Sequence, residues 1–195
     1  GEIVFDGSAR EVLDNAELYN PITNTWSSAG ILATTRYAHT ATLLHSGQVL
    51  VVGGYANNGS RLASAELYNP DTNSWFSTGS LATARSAHTA TLLPSGKVLV
   101  TGGQDANNSI LGSAELYDPA TLTWSAAGSL ATPREFHAAT LLPSGKVLVT
   151  GGIGSSSFAL NSVEVYEPAA NDWSTSGALL IARSWQTATL LSSGN

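Results

Sequence analysis

Residues 53–75, GGYANNGSRLASAELYNPDTNSW, decide the fold, because their framework letters return at a constant interval of 49 positions along the chain. Two adjacent glycines open this stretch, a tyrosine follows 14 residues after the second glycine, and a tryptophan follows seven residues later. A fixed period of about 20 to 50 residues indicates an array of one supersecondary unit, whose copies stack because none of them buries its own apolar face. The recurring positions are Glu17, Glu66, Glu115 and Glu164; Tyr19, Tyr68, Tyr117 and Tyr166; Trp26, Trp75, Trp124 and Trp173; and Arg36, Arg85, Arg134 and Arg183.

One repeat is a succession of four short strands with turn signals between them. Residues 37–44 and 48–52 are apolar and β-branched, and a double glycine ends the second of these stretches. Residues 64–68 and 74–77 flank a turn cluster of Asn, Pro and Asp, in which proline sets φ and the Asx side chains cap the turn. Without helical periodicity, this pattern predicts a four-stranded antiparallel sheet. Four such sheets in a row predict an all-β propeller, with the small Ala and Thr side chains of the first strand innermost.

The spacing of glycines, tyrosine and tryptophan resembles the kelch repeat. Gly53-Gly54 with Tyr68 and Trp75 shows the pattern, and the next two repeats carry it at the same intervals. The resemblance covers the whole chain and implies propeller blades, distantly similar to those of the galactose oxidase propeller. It also implies that a copper cofactor of the galactose oxidase type cannot form here, because that cofactor needs a cysteine and the sequence has none.

The register of the repeats predicts how the ring closes. Residues 1–7 align with residues 47–53, so we expect a start at a second strand and an end just after a first strand. Pairing of 185–191 with 2–6 would then complete a blade and remove an exposed sheet edge. Within one chain this gives a four-bladed ring, and between two chains an eight-bladed homodimer. The modest side chains between blades favour the dimer; a part of a longer propeller is the third alternative. Residues 1–195 are expected to form a single array.

Composition excludes several classes of partner and site. Only 11% of residues are charged against 43% hydrophobic, the net charge is −6, and the pI is about 5.0. Because phosphate backbones need clustered Lys and Arg, a nucleic-acid partner is not expected. No thiolate metal site or disulfide is available without cysteine. Apolar runs are too short to span a bilayer, so no membrane partner is expected. No signal-peptide pattern occurs, and we slightly favour an extracellular location.

The recurring arginines and glutamates have two interpretations. Glu66 is expected on the third strand of one blade, and Arg85, 19 residues later, at the start of the next. The first interpretation is a structural ion pair that ties blades together. The second places the arginines at the rim as binders of an acidic ligand, which the resemblance implies for kelch proteins that capture acidic peptides. The ligand-binding candidates of this set are Arg36, Arg85, Arg134 and Arg183.

Histidines occupy the third position after the arginine in three repeats. His39, His88 and His137 are candidates for a metal site, since neutral imidazoles suit Zn or Cu. The fourth repeat has Gln186, which fits a hydrogen bond to a neighbouring strand better than metal ligation. We therefore expect hydrogen-bonding side chains, with no metal and no cofactor.

Positions that differ between otherwise equal repeats are candidates for determining which ligand is bound. The residues that follow the four arginines vary, and aromatic or charged side chains there would suit a sugar or a peptide. The alternative is drift or packing in the closing blade, which applies most to Trp185. The candidate binding residues are Tyr37, Glu135, Phe136 and Trp185.

No catalytic signature is present, so we do not expect an enzyme. The sequence predicts a non-catalytic binding or scaffolding module that recognises a glycan or a peptide at the propeller rim. The alternatives are an accessory propeller of a carbohydrate-active or oxidase-like enzyme, and a structural or engineered repeat module without a ligand. Asn-rich loops at 55–63, 104–112 and 153–161 are expected to be solvated, although two of them contain the N-glycosylation triplet.

Overall fold

The computed structural model describes residues 3–5 and 10–194, and every regular element in this part of the chain is a β-strand. Within it, no helix is long and apolar enough to cross a bilayer. The chain divides into two units, residues 1–86 and residues 87–195. The predicted all-β architecture of four-stranded antiparallel blades is confirmed, whereas the continuity of all repeats in one array stays a prediction.

The first unit contains one complete blade and two hairpins. The complete blade is a four-stranded antiparallel sheet in which each strand pairs with the next along the chain, and each hairpin is a two-stranded antiparallel sheet. The hairpin strands are β1 (Ile3–Phe5) with β2 (Arg10–Val12), and β3 (Asn15–Asn20) with β4 (Thr25–Ile31); the blade strands are β5 (Thr40–Leu43), β6 (Val49–Val52), β7 (Ala65–Asn69) and β8 (Ser74–Ser77).

The second unit contains two complete blades with the same meander order. Both sheets are antiparallel, and their four strands are again neighbours in chain order. The strands are β9 (Thr89–Leu92), β10 (Val98–Thr101), β11 (Ser113–Asp118) and β12 (Thr123–Ser129) in one blade, and β13 (Ala138–Leu141), β14 (Val147–Thr150), β15 (Val163–Glu167) and β16 (Asp172–Thr175) in the other.

The strand predictions hold within a few residues, except at the two ends. The predicted first strand 37–44 is shorter, because Tyr37 forms an isolated bridge with Tyr55 before β5 begins. At the start of the chain β1 pairs with β2, which lies in a predicted loop, and not with β3 as the repeat register predicts. Residues 185–191 form no strand, and Glu2 and Asp6 lie outside the described residues. Ring closure through these ends therefore stays a prediction.

The recurring tyrosine and tryptophan face each other across the last two strands of each repeat. Tyr68 on β7 is directly opposite Trp75 on β8, with ring centroids 5.2 Å apart and planes inclined by 44°. The Tyr68 hydroxyl donates to Asn73 Oδ1 over 2.8 Å, and Asn73 adopts the left-handed conformation with φ 49°. Because asparagine tolerates this conformation, one side chain both forms the turn and accepts from the tyrosine. The same ring pairs recur at Tyr19–Trp26, Tyr117–Trp124 and Tyr166–Trp173.

The apolar core lies along the second and third strands. In the first unit Leu50 and Leu67 are directly opposite each other and are fully buried. Burying a side chain of this size contributes about 1.5–3 kcal/mol. In the second unit a cluster of buried residues joins both blades: Leu93, Leu99, Ala114, Ala127, Leu130, Val147, Val149 and Tyr166.

The double glycines let two backbone segments touch. A methyl group on Gly151 would lie 2.5 Å from the carbonyl oxygen of Arg183 and 2.6 Å from Gln186 Nε2, and Gly151 has φ +59°. Gly152 has φ +98° and meets the Glu135 carbonyl oxygen at 2.6 Å in the same way. A side chain at either position would need both a left-handed backbone and space that a neighbour occupies, which explains the glycine pair that ends the second strand.

Candidate functional site

The recurring arginines Arg36 and Arg134 each form a buried ion pair with a recurring glutamate. Arg36 Nη2 donates to Glu66 Oε1 over 2.7 Å, and their side chains are 0% and 2% exposed. The same Glu66 carboxylate accepts the backbone N–H groups of Ala33 and Thr34 at 2.7 and 3.2 Å. Arg134 and Glu164 repeat the arrangement at 2.7 Å, with 0% and 1% exposure. In each of these pairs the glutamate carboxylate also accepts backbone hydrogen bonds. The buried ion pair therefore connects the segment before the first strand of the blade to its third strand.

The sequence predicted an ion pair between Glu66 and Arg85, and this prediction was wrong. Glu66 bonds to Arg36, 30 residues before it, and not to Arg85, 19 residues after it. The ion pair therefore closes one repeat on itself and does not tie a blade to the next one. Spacing alone could not separate the two choices, because Glu66, Glu115 and Glu164 each lie between two equivalent arginines.

The four arginines differ in exposure. Arg36, Arg85 and Arg134 are 0% exposed, which favours the structural interpretation over contact with a ligand. Arg183 is exposed, although its backbone N–H donates to the Leu160 carbonyl over 3.0 Å, as the N–H groups of Arg85 and Arg134 donate to equivalent carbonyls.

The histidines behave as hydrogen-bonding side chains between strands. His137 Nε2 lies 2.9 Å from the Thr89 hydroxyl, and burial together with the charge of Arg134 lowers the pKa of His137 to about 3. Burial likewise lowers the pKa of His39 to about 4. At the fourth position Gln186 Nε2 donates to the Thr150 carbonyl over 2.7 Å, which confirms the hydrogen-bonding interpretation of this position. Within residues 3–5 and 10–194, no three His, Cys, Asp or Glu side chains cluster closely enough to hold a metal ion.

The positions two residues after the arginine share an unusual backbone conformation. They are left-handed in all four repeats, at Ala38 (φ 52°), Ala87 (φ 55°), Phe136 (φ 51°) and Trp185 (φ 60°). Left-handed φ is uncommon for residues other than glycine, asparagine and aspartate, and for a bulky residue it is an outlier that clusters at binding and active sites. The side chains at these positions vary between repeats, but no signal in the sequence predicts this backbone conformation.

In the second unit these left-handed residues hydrogen-bond in succession. The Phe136 N–H donates to the Ala87 carbonyl over 3.1 Å, and the Trp185 N–H donates to the Phe136 carbonyl over 2.9 Å. The rings of Phe136 and Trp185 stack, with centroids 3.5 Å apart and planes inclined by 19°. Trp185 remains 70% exposed, so the stacked pair presents an aromatic face to solvent.

Glu135, next to this aromatic pair, lines a polar cavity of about 400 Å³. Two long loops form its walls, and the Asp105 carboxylate shapes one of them by accepting the backbone N–H groups of Asn107 and Ser109, each at 2.9 Å. Backbone hydrogen bonds between Glu135 and Ile153, at 2.8 and 3.0 Å, hold the backbone of Glu135 against the other loop. The lining residues are Gln104, Asn108, Ser109, Ile110, Glu135, Ser155 and Ser157. The sequence predicted Glu135 as a candidate, whereas it assigned the loops to solvent.

The first unit fills the equivalent position with an aromatic stack. Tyr37 lies against Tyr55, with centroids 4.9 Å apart and planes inclined by 17°. The Arg61 guanidinium lies 5.0 Å above the Tyr55 ring, and Arg61 Nε donates to the Ser86 hydroxyl over 3.2 Å. Tyr37 is therefore engaged by its own loop, in contrast to Glu135 in its cavity.

Comparison with known proteins identifies the fold family. The sequence profile of the KLHDC2/KLHL20/DRC7 Kelch-repeats domain matches residues 2–194. Among solved structures 185 chains match, including the structure of YjhT, which is 18% identical, has a TM-score of 0.68, and aligns over 82% of this chain. The alignment spans 57% of that chain. No curated protein sequence matches. The chain therefore belongs to the Kelch-repeat family, whose β-propeller fold serves as a binding or scaffolding module.

Proposed function

We propose that this chain is a non-catalytic binding module that holds a glycan in the cavity lined by Glu135, beside the Phe136–Trp185 stack. The observation that carries the proposal is the combination of a polar cavity of about 400 Å³ with an adjoining exposed aromatic face. Sugars present hydroxyl groups along their edges and apolar C–H faces, and ligand sites combine aromatic walls with a few placed polar groups.

Each part of the site suits one part of a sugar. Glu135 and Gln104 carry carboxylate and amide oxygens that accept from hydroxyl groups. The hydroxyls of Ser155 and Ser157 both donate and accept. Trp185 offers an exposed ring for stacking against a pyranose face. The acidic side chain at the cavity and the net charge of −6 favour a neutral or cationic glycan over an acidic one.

Binding without catalysis is part of the proposal. Retaining glycosidases need two carboxyl groups about 5–5.5 Å apart, and inverting enzymes need two at about 6.5–9.5 Å. Glu135 is the one carboxylate among the described residues that line this cavity. A single carboxylate suits recognition of hydroxyl groups.

A glycan array probed beside a peptide array tests the proposal, with matched variants taken from the repeats themselves. Glu135→Ser installs the letter found at Ser86 and Ser184, and Phe136→Ala installs the letter found at Ala38 and Ala87. Both variants keep residues that the equivalent backbone already accepts. We expect glycan binding by the parent chain, loss of it in both variants, and unchanged binding in Ile22→Ala, whose exposed side chain (94%) lies in a turn of the first unit. Binding of peptides alone, or of nothing on either array, would contradict the proposal.

A further inference from the structure

A second cavity, of about 370 Å³, lies in the second unit and is lined by residues of both complete blades. Ser95 lies in the turn between the first and second strands of one blade, and Pro168 in the turn between the third and fourth strands of the other. Because successive strands are antiparallel, these turns are at the opposite end of the blades from the loops of the Glu135 cavity. The lining residues are Leu93, Ser95, Lys97 and Leu116 from one blade, and Tyr166, Pro168 and Ala169 from the other.

The floor of this cavity belongs to the apolar core of the second unit. Leu93 and Tyr166 are 2% and 0% exposed, and both are members of the buried cluster that joins the two blades. The Tyr166 ring lies against Trp173, with centroids 5.1 Å apart, and its hydroxyl donates to Asn171 Oδ1 over 2.7 Å. A floor made of packed core side chains is preformed, as is usual for sites that bind small molecules.

Lys97 brings a positive charge to this apolar cavity. Its ammonium group lies 3.1 Å from Asp118 Oδ2, and the two side chains are 42% and 29% exposed. An ammonium group has three N–H donors, so the contact with Asp118 leaves donors for the anion of a ligand. The turn that carries Lys97 and Ser95 is fixed by two backbone hydrogen bonds, from the Leu93 N–H to the Lys97 carbonyl over 2.8 Å and from the Gly96 N–H to the Leu93 carbonyl over 2.9 Å.

The charges around the cavity favour an anionic ligand. Among the described residues that line it, Lys97 is the one charged side chain. Glu167, which precedes the lining residue Pro168, is paired with Lys146 over 2.7 Å. A ligand anion would therefore meet a cation at the cavity, whereas the carboxylates of Asp118 and Glu167 are both paired with lysines.

The chemistry of the lining favours an aliphatic chain over a peptide. Five of the seven lining residues are apolar or aromatic, and the other two supply one hydroxyl group and one ammonium group. A buried peptide segment needs a partner for each of its N–H and C=O groups, and leaving such groups unpaired is costly. An aliphatic chain that ends in a carboxylate needs hydrogen-bonding partners at one end alone.

We propose that this cavity binds a medium-chain aliphatic carboxylate, with the alkyl chain against Leu93, Leu116 and Tyr166 and the carboxylate at the Lys97 ammonium and the Ser95 hydroxyl. Charge-assisted hydrogen bonds hold the carboxylate, and burial of the alkyl chain provides the hydrophobic part of the binding free energy. This site is distinct from the proposed glycan site, and neither proposal depends on the other.

Titration calorimetry with octanoate, 1-octanol and octylamine tests the proposal. The probes have the same alkyl chain and carry a negative charge, no charge and a positive charge. We expect the parent chain to bind octanoate, and to bind 1-octanol and octylamine at least about tenfold more weakly, because they lack the charge-assisted hydrogen bonds to Lys97. Equal binding of octanoate and 1-octanol, or no binding of octanoate at about 1 mM, overturns the proposal.

Three variants test where octanoate binds. Lys97→Gln installs the glutamine of the equivalent position Gln48 and should weaken octanoate binding at least about tenfold, with little effect on 1-octanol. Ala169→Trp fills the cavity from an exposed position and should abolish binding of both probes. Lys146→Gln is the matched control, since it makes the same charge change on the other lysine of the chain, and it should bind octanoate as the parent does.

The folded state of each variant is checked independently by far-ultraviolet circular dichroism. Both lysines form exposed ion pairs, which contribute little to stability, so their glutamine variants should keep the sheets of the parent chain. Octanoate binding that is unchanged in folded Lys97→Gln or folded Ala169→Trp overturns the proposal. So does an equal loss of binding in Lys97→Gln and Lys146→Gln, because a general effect of charge would then explain the result.

Discussion

Arg134 and Glu164 are joined by a 2.7 Å ion pair that is shut off from solvent, whereas Lys146 and Glu167 form a pair of the same length whose side chains are 45% and 37% exposed. The two pairs lie in the same blade and differ chiefly in burial. Equal distances should therefore give unequal energies, because a buried charge that loses its partner stays desolvated.

Glu164→Gln should destabilise the chain by about 3–5 kcal/mol, since it leaves the Arg134 guanidinium buried without a counter-charge. Urea unfolding followed by tryptophan fluorescence measures the change. Glu167→Gln is the matched control and should shift the midpoint very little, as exposed pairs generally do. Equal shifts in the two variants would mean that burial of the Arg134–Glu164 pair contributes nothing.

Acid should destabilise the fold through His137. Its pKa is lowered from 6.5 to about 3 by burial and by Arg134, so between these values the unfolded chain binds a proton that the folded chain does not. Stability therefore rises with pH from about 3 to 6.5 and is independent of this group above 6.5, with a loss of roughly 3 kcal/mol between pH 7 and pH 4.

His137→Gln, which installs the letter of Gln186, should remove that part of the pH dependence. Urea midpoints of the parent and the variant at pH 7 and pH 4 give the comparison. Parallel pH profiles for the two proteins would show that the imidazole of His137 is not the group that titrates.

Gly151→Ala should be among the most damaging small substitutions. It forces a left-handed alanine at φ +59° and places a methyl group 2.5 Å from the Arg183 carbonyl oxygen, with an expected cost of about 3 kcal/mol or more. Gly145→Ala is the control, since φ is +81° but the nearest atom is Pro94 Cγ at 3.6 Å. It should cost only the backbone strain, about 1–2 kcal/mol. Thermal melts of both variants measure the difference in stability. A Gly151 variant as stable as the Gly145 variant would contradict the close approach of residue 151 to the Arg183 carbonyl oxygen.

A glycan that occupies the Glu135 cavity should raise the melting temperature of the parent chain. Ligand at 100 times its dissociation constant stabilises the folded state by about 2.7 kcal/mol. The same glycan should leave Glu135→Ser unchanged while still protecting Ile22→Ala. Protection that survives in Glu135→Ser would place the ligand elsewhere on the molecule.

The repeat period predicted the fold because each recurring residue has one structural role. Tyr68 and Trp75 are opposite each other on paired strands, and the glycine pairs occupy positions where a side chain has no room. Such constraints recur in every repeat and are therefore visible in the sequence. The Arg–Glu pair was foreseen as an ion pair but given the wrong partner, because a periodic sequence offers two neighbours for each charge and only the path of the chain selects one.

The candidate site was less accessible to prediction. The left-handed backbone at Phe136 and Trp185 leaves no trace in the letters, since aromatic residues ordinarily avoid this conformation. The cavity beside Glu135 depends on how two Asn- and Ser-rich loops fold over it, and their composition alone is typical of solvated loops. At the chain ends the repeat register predicted β1 beside β3, whereas β1 pairs with β2, because a local hairpin is available there.

The left-handed residues that hydrogen-bond from Ala87 to Phe136 to Trp185 use only their backbone for these bonds. Alanine, phenylalanine and tryptophan all occupy this conformation within one molecule, so the side chain can be exchanged while the scaffold keeps its connections. These positions are natural sites for a combinatorial library, in which new specificities are selected by varying one letter per blade.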